Sequence, residues 1–264
     1  MLEGAEDQLV IVPFNDLNAL ERAIQSHRDD LAGVILEPVN YDAGCVLPLP
    51  GYLEAVRKLT AENEMLLIFD EVLTAFRIAQ GGAQEYYGVV PDLAVLGKAM
   101  GGGLPLSAIT GKRDVMSRLR PLGDAEHSGT YMGHLIAVMG SLACLTELSQ
   151  PGVYQRLFAL GDRLYKGLDE ILRETGVRGR LQHLGNRFFI YFGLDPNEEV
   201  LNYRSAAQHD SGTALAFYRE AMHQGVYFHD YRGGLAHHGF STAHTEEDID
   251  KALNGMEDAF KAIS

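Results

Sequence analysis

Short apolar runs alternate with stretches of helical period along the first half of the chain. QLVIVPF (8–14) reads as a strand. Asn15 or Asp16 then caps a predicted helix that carries Leu17, Leu20 and Ile24 on one face. LAGVILEPV (31–39), MLLIFDE (65–71) and DLAVLG (92–97) are nearly unbroken apolar runs, the pattern of parallel strands covered on both faces. GYLEAVRKLTAENE (51–64) separates two of them as a helix, and LSAITG (106–111) is a candidate neighbouring strand. This β-α-β rhythm predicts an α/β layered domain.

The pattern changes from about residue 133. MGHLIAVMGSLACLTEL (132–148) is a mostly apolar helix, and the next segment sets Val153, Leu157, Leu160, Leu164, Leu168 and Ile171 on one stripe ending near Gly176. NRFFIYFGL (186–194) reads as a strand, SGTALAFYREAMHQG (211–225) as a helix stopped by Gly225, and VYFHD (226–230) as another strand. Thr245 with Asp248 forms a capping signal for a last helix that carries Ile249, Leu253, Met256, Phe260 and Ile263. The expected organisation is a large domain over 1–150 and a smaller α+β domain over 151–264.

Composition narrows the function. Among 264 residues, 36 acidic against 22 basic side chains give a net charge of −14, which argues against a broad nucleic-acid surface and against anionic membrane. No run approaches the apolar length of a membrane span, and the start MLEGAEDQ is unlike a secretory signal, so a cytoplasmic location is expected. Two cysteines, Cys45 and Cys144, allow no disulfide framework and no four-cysteine zinc site, and both read as small buried hydrophobes. Histidines 229, 237, 238 and 244 crowd one stretch, but metal binding needs convergent partners, so they read as cavity lining or surface.

The chemistry concentrates in PDLAVLGKAMGGGLP (91–105). Lys98 follows an apolar run and one glycine, and precedes three glycines and a proline. An amine that forms Schiff bases must be held rigidly and approached closely by a flat partner, and this setting meets both needs. Asp70 ends another apolar run, where a carboxylate suits a pyridinium nitrogen. Asp70-Glu71 also suits an acid/base pair or a strand-end cap. Glu37, Asp70 and Lys98 all fall at carboxyl ends of predicted strands, where ligands gather in open α/β sheets. The glycines 101–103 do not make a dinucleotide loop, because no G-x-G-x-x-G opens a helix after a strand.

LEPV (36–39), FDEVLTAFR (69–77), GGAQEYYGVVPDLAVLGKAMGGGLPLSAITGKRDVM (81–116), HSGT (127–130) and STAHTEEDID (241–250), in this order, resemble the class III pyridoxal-phosphate-dependent aminotransferases. The resemblance is strongest to the glutamate-1-semialdehyde aminomutase branch. It implies an α/β, fold type I architecture with pyridoxal 5′-phosphate as cofactor. It implies that Lys98 is the catalytic amine forming a Schiff base, that Asp70 pairs with the pyridine nitrogen, and that Val72 packs on the ring. Thr130 then binds the cofactor phosphate across a homodimer interface, ahead of a helix N-terminus. Glu71 becomes structural, and His127 matches the family without an assigned role. The substrate is a small amine or amino acid. Arg232, near the expected mouth of the site, reads as a surface residue rather than a carboxylate clamp.

The chain also departs from the family. Ala75 stands at a usual glycine, His134-Leu135 at a usual Asn-Pro, and Tyr41-Asp42 at a glycine followed by Asn, Gln or Glu. The changes at Tyr41 and Asp42 lie near the expected substrate site and leave substrate identity open. The segment that supplies the family's phosphate loop and stacking ring has no counterpart, so the chain resembles the C-terminal part of a longer enzyme. Two functions remain: an aminotransferase or aminomutase, and a non-catalytic remnant or half of a split enzyme acting as a dimerisation module.

Overall fold

The computed structural model describes residue 4 and residues 8–229 and 231–264. In the first half, α1 (Leu17–Ser26) starts at Asp16, whose Oδ1 accepts from Ala19 N–H at 2.8 Å. It leads to β1 (Gly33–Leu36), α2 (Tyr52–Glu62), β2 (Leu66–Asp70), α3 (Gly82–Tyr87), β3 (Leu93–Leu96) and β4 (Ala108–Gly111). The sheet order is β1-β2-β3-β4, with β1, β2 and β3 parallel and β4 antiparallel to β3. A four-residue turn of helix, α4 (Arg113–Met116), follows β4. Helices α1 and α2 cover one side of the sheet, burying Leu20, Ile24, Leu53 and Val56 against Leu67 and Phe69.

Next come α5 (Leu135–Leu148), α6 (Val153–Thr175), β5 (Gly179–Leu184), β6 (Arg187–Phe192), α7 (Tyr203–Ala206), α8 (Ser211–His223), β7 (His238–Gly239) and α9 (Glu246–Ile263). Strands β5, β6 and β7 form a separate antiparallel sheet. The stripe on α6 packs with Phe188, Ile190 and Phe192 of β6, Phe217 of α8 and Phe260 of α9 into one core. The Thr245–Asp248 capping box is present at α9, and Gly176 closes α6 in the left-handed region at φ 68°. A smaller core ties the sheets together, with Val39, Tyr41, Cys45 and Leu73 against Phe189, Tyr191 and Ala236. Among the described residues no helix is long and apolar enough to cross a membrane.

Two expectations change, and one strand is added. Residues 8–14 are not a strand: among the described residues none joins their backbone in a strand ladder, and Ile11 is 90% exposed. Residues 226–229 run alongside the second sheet without strand pairing, and Asp230 lies outside the described residues. Strand β5 was hidden in the sequence because Gln182 interrupts its apolar pattern. That amide is buried and satisfied, with Nε2 donating to Cys45 O at 2.9 Å and Oε1 accepting from Val200 N–H at 2.7 Å.

One carboxylate locks the first sheet. Asp92 Oδ2 accepts from Leu67 N–H and from Arg57 Nη1, both at 2.7 Å, while Oδ1 meets Lys112 Nζ at 2.7 Å. Burial alone raises its pKa, but the Leu67 N–H, Lys112 and Arg57 outweigh burial and hold it at about 2. A depressed carboxylate contributes stability above its unfolded pKa and loses it as pH falls toward the folded value. We expect Asp92→Ala to cost about 2–4 kcal/mol at pH 7 in urea unfolding. Its deficit should shrink progressively below pH 4, and a deficit independent of pH would contradict the ionic origin.

Candidate functional site

Three strand ends converge. Glu37 follows β1, Asp70 closes β2, and Lys98 comes two residues after β3. Asp70 pairs in register with Val95, and Glu71 N–H donates to Val95 O at 2.9 Å, so the two chain segments leave the sheet together. Asp70 Oδ1 accepts from Val72 N–H at 3.1 Å, while Oδ2 makes no hydrogen bond among the described residues. The Val72 side chain then leans on the residue before Lys98. A Cβ built on Gly97 would meet Val72 Cγ1 at 3.5 Å and Cγ2 at 3.7 Å. Lys98 itself sits at φ 46°, where a side chain is strained, and opens a short 3₁₀ turn, Lys98–Gly101. Gly102, at φ 57°, ends that turn tightly against α5, since a Cβ there would meet Cys144 Cβ at 2.8 Å.

Glu71 has a structural place. It is fully buried and accepts from Thr74 Oγ1 at 3.0 Å, Ala83 N–H at 2.6 Å and Gln84 Nε2 at 3.0 Å, fixing the start of α3. Gly82, at φ 72°, leaves room for this carboxylate, because a Cβ would fall 2.2 Å from Oε2. Ala75 is buried without positive φ, and the neighbouring Phe76 takes φ 61° instead. The family's usual glycine is therefore not required by the backbone here.

Thr130 lies exposed in a turn ahead of α5 and makes no hydrogen bond to Lys98, Asp70 or Val72 among the described residues. His134 occupies the cap position without a side-chain hydrogen bond. His127 and Arg232 are exposed.

The motifs gave no structural role to several groups on this side of the sheet. Tyr41 is fully buried, and its hydroxyl donates to Leu184 O at 3.0 Å, clamping the loop after β1 onto β5. His237 Nδ1 stands 3.7 Å from Asp42 Oδ1. Burial, and then the Arg187 charge, pull His237 down to about 4; Asp42 opposes this, and Lys98 and Arg77 add to it. One neutral imidazole thus feels charges from both halves of the chain. His229, His237, His238 and His244 all line one cavity of about 1100 Å³ beside β6, β7 and α9. Lys98, Asp70 and Val72 are not in its wall; they lie on an open face. Among the described residues no cluster of His, Cys, Asp and Glu could hold a metal ion.

The donor set suits a flat, protonated heteroaromatic ring with an electrophilic carbon. It offers a carboxylate with one free oxygen, a branched apolar side chain and a primary amine, all reached from adjoining strand ends. Glu37 borders this set. Burial first, then the Asp42 and Asp70 charges, raise its carboxyl to about 7 against a hydrogen bond from Tyr41 N–H at 3.2 Å. A raised acid favours folding below its unfolded pKa and works against it as pH rises through the folded value. Glu37→Gln should therefore melt a few degrees above wild type at pH 8.5 and close to it at pH 5. Parallel melting curves across that range would show that Glu37 ionises normally.

The model of the aminotransferase class-III family matches residues 5–260. Glutamate-1-semialdehyde 2,1-aminomutase 2 of Brevibacillus brevis is 39% identical over 98% of this chain and 59% of its own length. The glutamate-1-semialdehyde 2,1-aminomutase of Methanocaldococcus jannaschii is 38% identical over 99% of this chain and 60% of its own. The crystal structure of an omega-transaminase from Sphaerobacter thermophilus superposes with a TM-score of 0.89 at 31% identity, covering 97% of this chain and 58% of that one. The chain thus spans less than two thirds of the length of these relatives. With the matched family model covering nearly all of its residues, the chain belongs to the class III aminotransferases.

Proposed function

We propose that this chain carries the reactive centre of a pyridoxal 5′-phosphate-dependent aminotransferase or aminomutase, with Lys98 as its amine. The carrying observation is the meeting of Asp70, Val72 and a backbone-strained Lys98 at adjoining strand ends. When bound, the cofactor supplies an electron sink for negative charge at the substrate α-carbon. Lys98 Nζ would hold the cofactor through its aldehyde carbon; once the substrate's amine displaced it there, the freed Nζ would carry the proton from the substrate α-carbon to that cofactor carbon. Asp70 keeps a proton on the ring nitrogen, and Val72 packs on the ring. Thr130 offers its hydroxyl to the phosphate bound by a second copy.

Overall, an amino group moves from an amine to a carbonyl carbon while the carbonyl oxygen passes the other way. In an aminomutase both carbons belong to one skeleton. The relatives named as glutamate-1-semialdehyde 2,1-aminomutases favour that branch and an amino-acid-like substrate. A homodimer is supported by α5, which exposes Leu135, Ile136, Met139 and Leu142 and buries few of its residues. We read residues 1–150 as the cofactor-binding unit and 151–264 as the smaller one, working in the cytoplasm.

Purified chain mixed with pyridoxal phosphate should develop an absorbance band near the visible edge that Lys98→Ala abolishes. Asp70→Asn should keep a covalent band but slow amino-group transfer by about 10²-fold or more. A wild-type chain that develops no band would instead favour the non-catalytic interaction module.

A further inference from the structure

Lys98 holds a positive φ that suits glycine better than lysine, and strained backbone persists only where its surroundings leave it no alternative. The turn it opens is held on both sides. Val72 leans on Gly97, just before it. Just after it comes α5, which packs chiefly against this turn and has only Ala137 and Ser141 among its buried residues.

Two contacts make the join. Cys144 Sγ donates to Ala99 O at 3.5 Å, the same carbonyl that accepts from Gly102 N–H at 3.1 Å. A carbonyl oxygen has lone pairs for both donors, so the thiol meets the turn at the atom that closes it. The second contact is between backbones. A Cβ on Gly102 would stand 2.8 Å from Cys144 Cβ and 3.1 Å from Gly140 O, and neither atom can rotate aside. A Cβ on Gly140 would strike Leu104 Cδ1, and Leu104 N–H donates to Gly101 O at 3.0 Å, so Leu104 belongs to the same turn. Glycine at 102 thus serves twice, permitting φ 57° and letting α5 approach.

We propose that α5 positions the reactive amine: Gly140 and Cys144 hold the turn Lys98–Gly101 in the conformation that delivers Lys98 to the edge it shares with Asp70. The inference rests on Lys98 being the Schiff-base amine. Gly140 and Cys144 act only through the turn, so they are positioning residues. The support comes from more than forty residues along the chain, since Cys144 and Ala99 are 45 positions apart.

Two readouts test it. Amide hydrogen exchange of the cofactor-free chain over residues 97–104 reports the turn, and titration of the visible-edge band with pyridoxal phosphate reports the amine. Cys144→Ala removes the thiol donor without adding bulk. It should speed exchange and weaken the apparent Kd, each by about threefold or more. Cys144→Ser keeps a donor and should stay within about twofold of wild type in both. Gly102→Ala, which pushes the turn off α5, should cost about tenfold or more in both; if it misfolds, the two Cys144 variants carry the test alone. Thr146→Ala is the control on the same helix, because its hydroxyl donates to Leu142 O within α5, and it should leave both readouts unchanged. Unchanged exchange in Cys144→Ala would overturn the inference. So would faster exchange without loss of affinity, or losses as large in Cys144→Ser or Thr146→Ala. A wild-type chain with no band sinks the reading of Lys98, while exchange still decides whether α5 holds the turn. A wild-type band with no effect of the variants sinks the positioning role alone.

Discussion

The buried carboxylate of Asp92 holds the first sheet in the form the site requires. It takes a backbone N–H from β2, a guanidinium from α2 and an ammonium from the residue after β4, all at 2.7 Å. Asp92 immediately precedes β3, so these contacts fix the position of β3 against β2 at the end opposite the site. Register then does the rest, because pairing Phe69 with Ala94 and Asp70 with Val95 delivers Asp70 and Lys98 to the same edge. A one-residue slip would turn the side chains of β3 to the other face and separate the two groups.

Loops around the site are held from the second sheet. Tyr191 Oη donates to Ala43 O at 2.8 Å and accepts from Cys45 N–H at 2.9 Å, while Gln182 holds Cys45 O. Tyr41 reaches back to Leu184. The segment carrying Asp42 is therefore stitched to β5 and β6 by polar groups whose donors and acceptors are matched. Buried and satisfied, such a network specifies one arrangement of the two sheets more narrowly than apolar contact does. It also brings His237, from the second half, within electrostatic reach of Lys98 from the first.

Identical chemistry takes opposite directions in this frame. Asp92 has three donors, two of them cationic, and stays ionised far into acid, whereas Glu37 is buried beside two acidic neighbours with only the backbone N–H groups of Tyr41 and Asp42 as donors and keeps its proton toward neutrality. His238 is similar in kind to Glu37: burial first, then neighbouring positive charge, hold it neutral, with the Tyr218 hydroxyl 3.0 Å from its Nε2. The local set of donors decides each case, not the residue type.

Local pattern by itself determined much of this protein. Unbroken apolar runs marked β1, β2 and β3, helical stripes marked α6 and α9, and Asp16 and Thr245 marked helix starts, because strand burial, helix period and capping depend on near neighbours in the chain. The order of short motifs pointed to Lys98, Asp70 and Val72. Only the tertiary structure decided the rest. Residues 8–14 have strand composition, but a strand exists only where another backbone pairs with it. Gln182 reads as surface, yet long-range hydrogen bonds make it core. Arg77 lies in a motif of the first half and Arg187 opens a strand of the second, yet both act electrostatically on His237. That meeting follows from two sheets packing together across more than a hundred residues, and no local pattern encodes it.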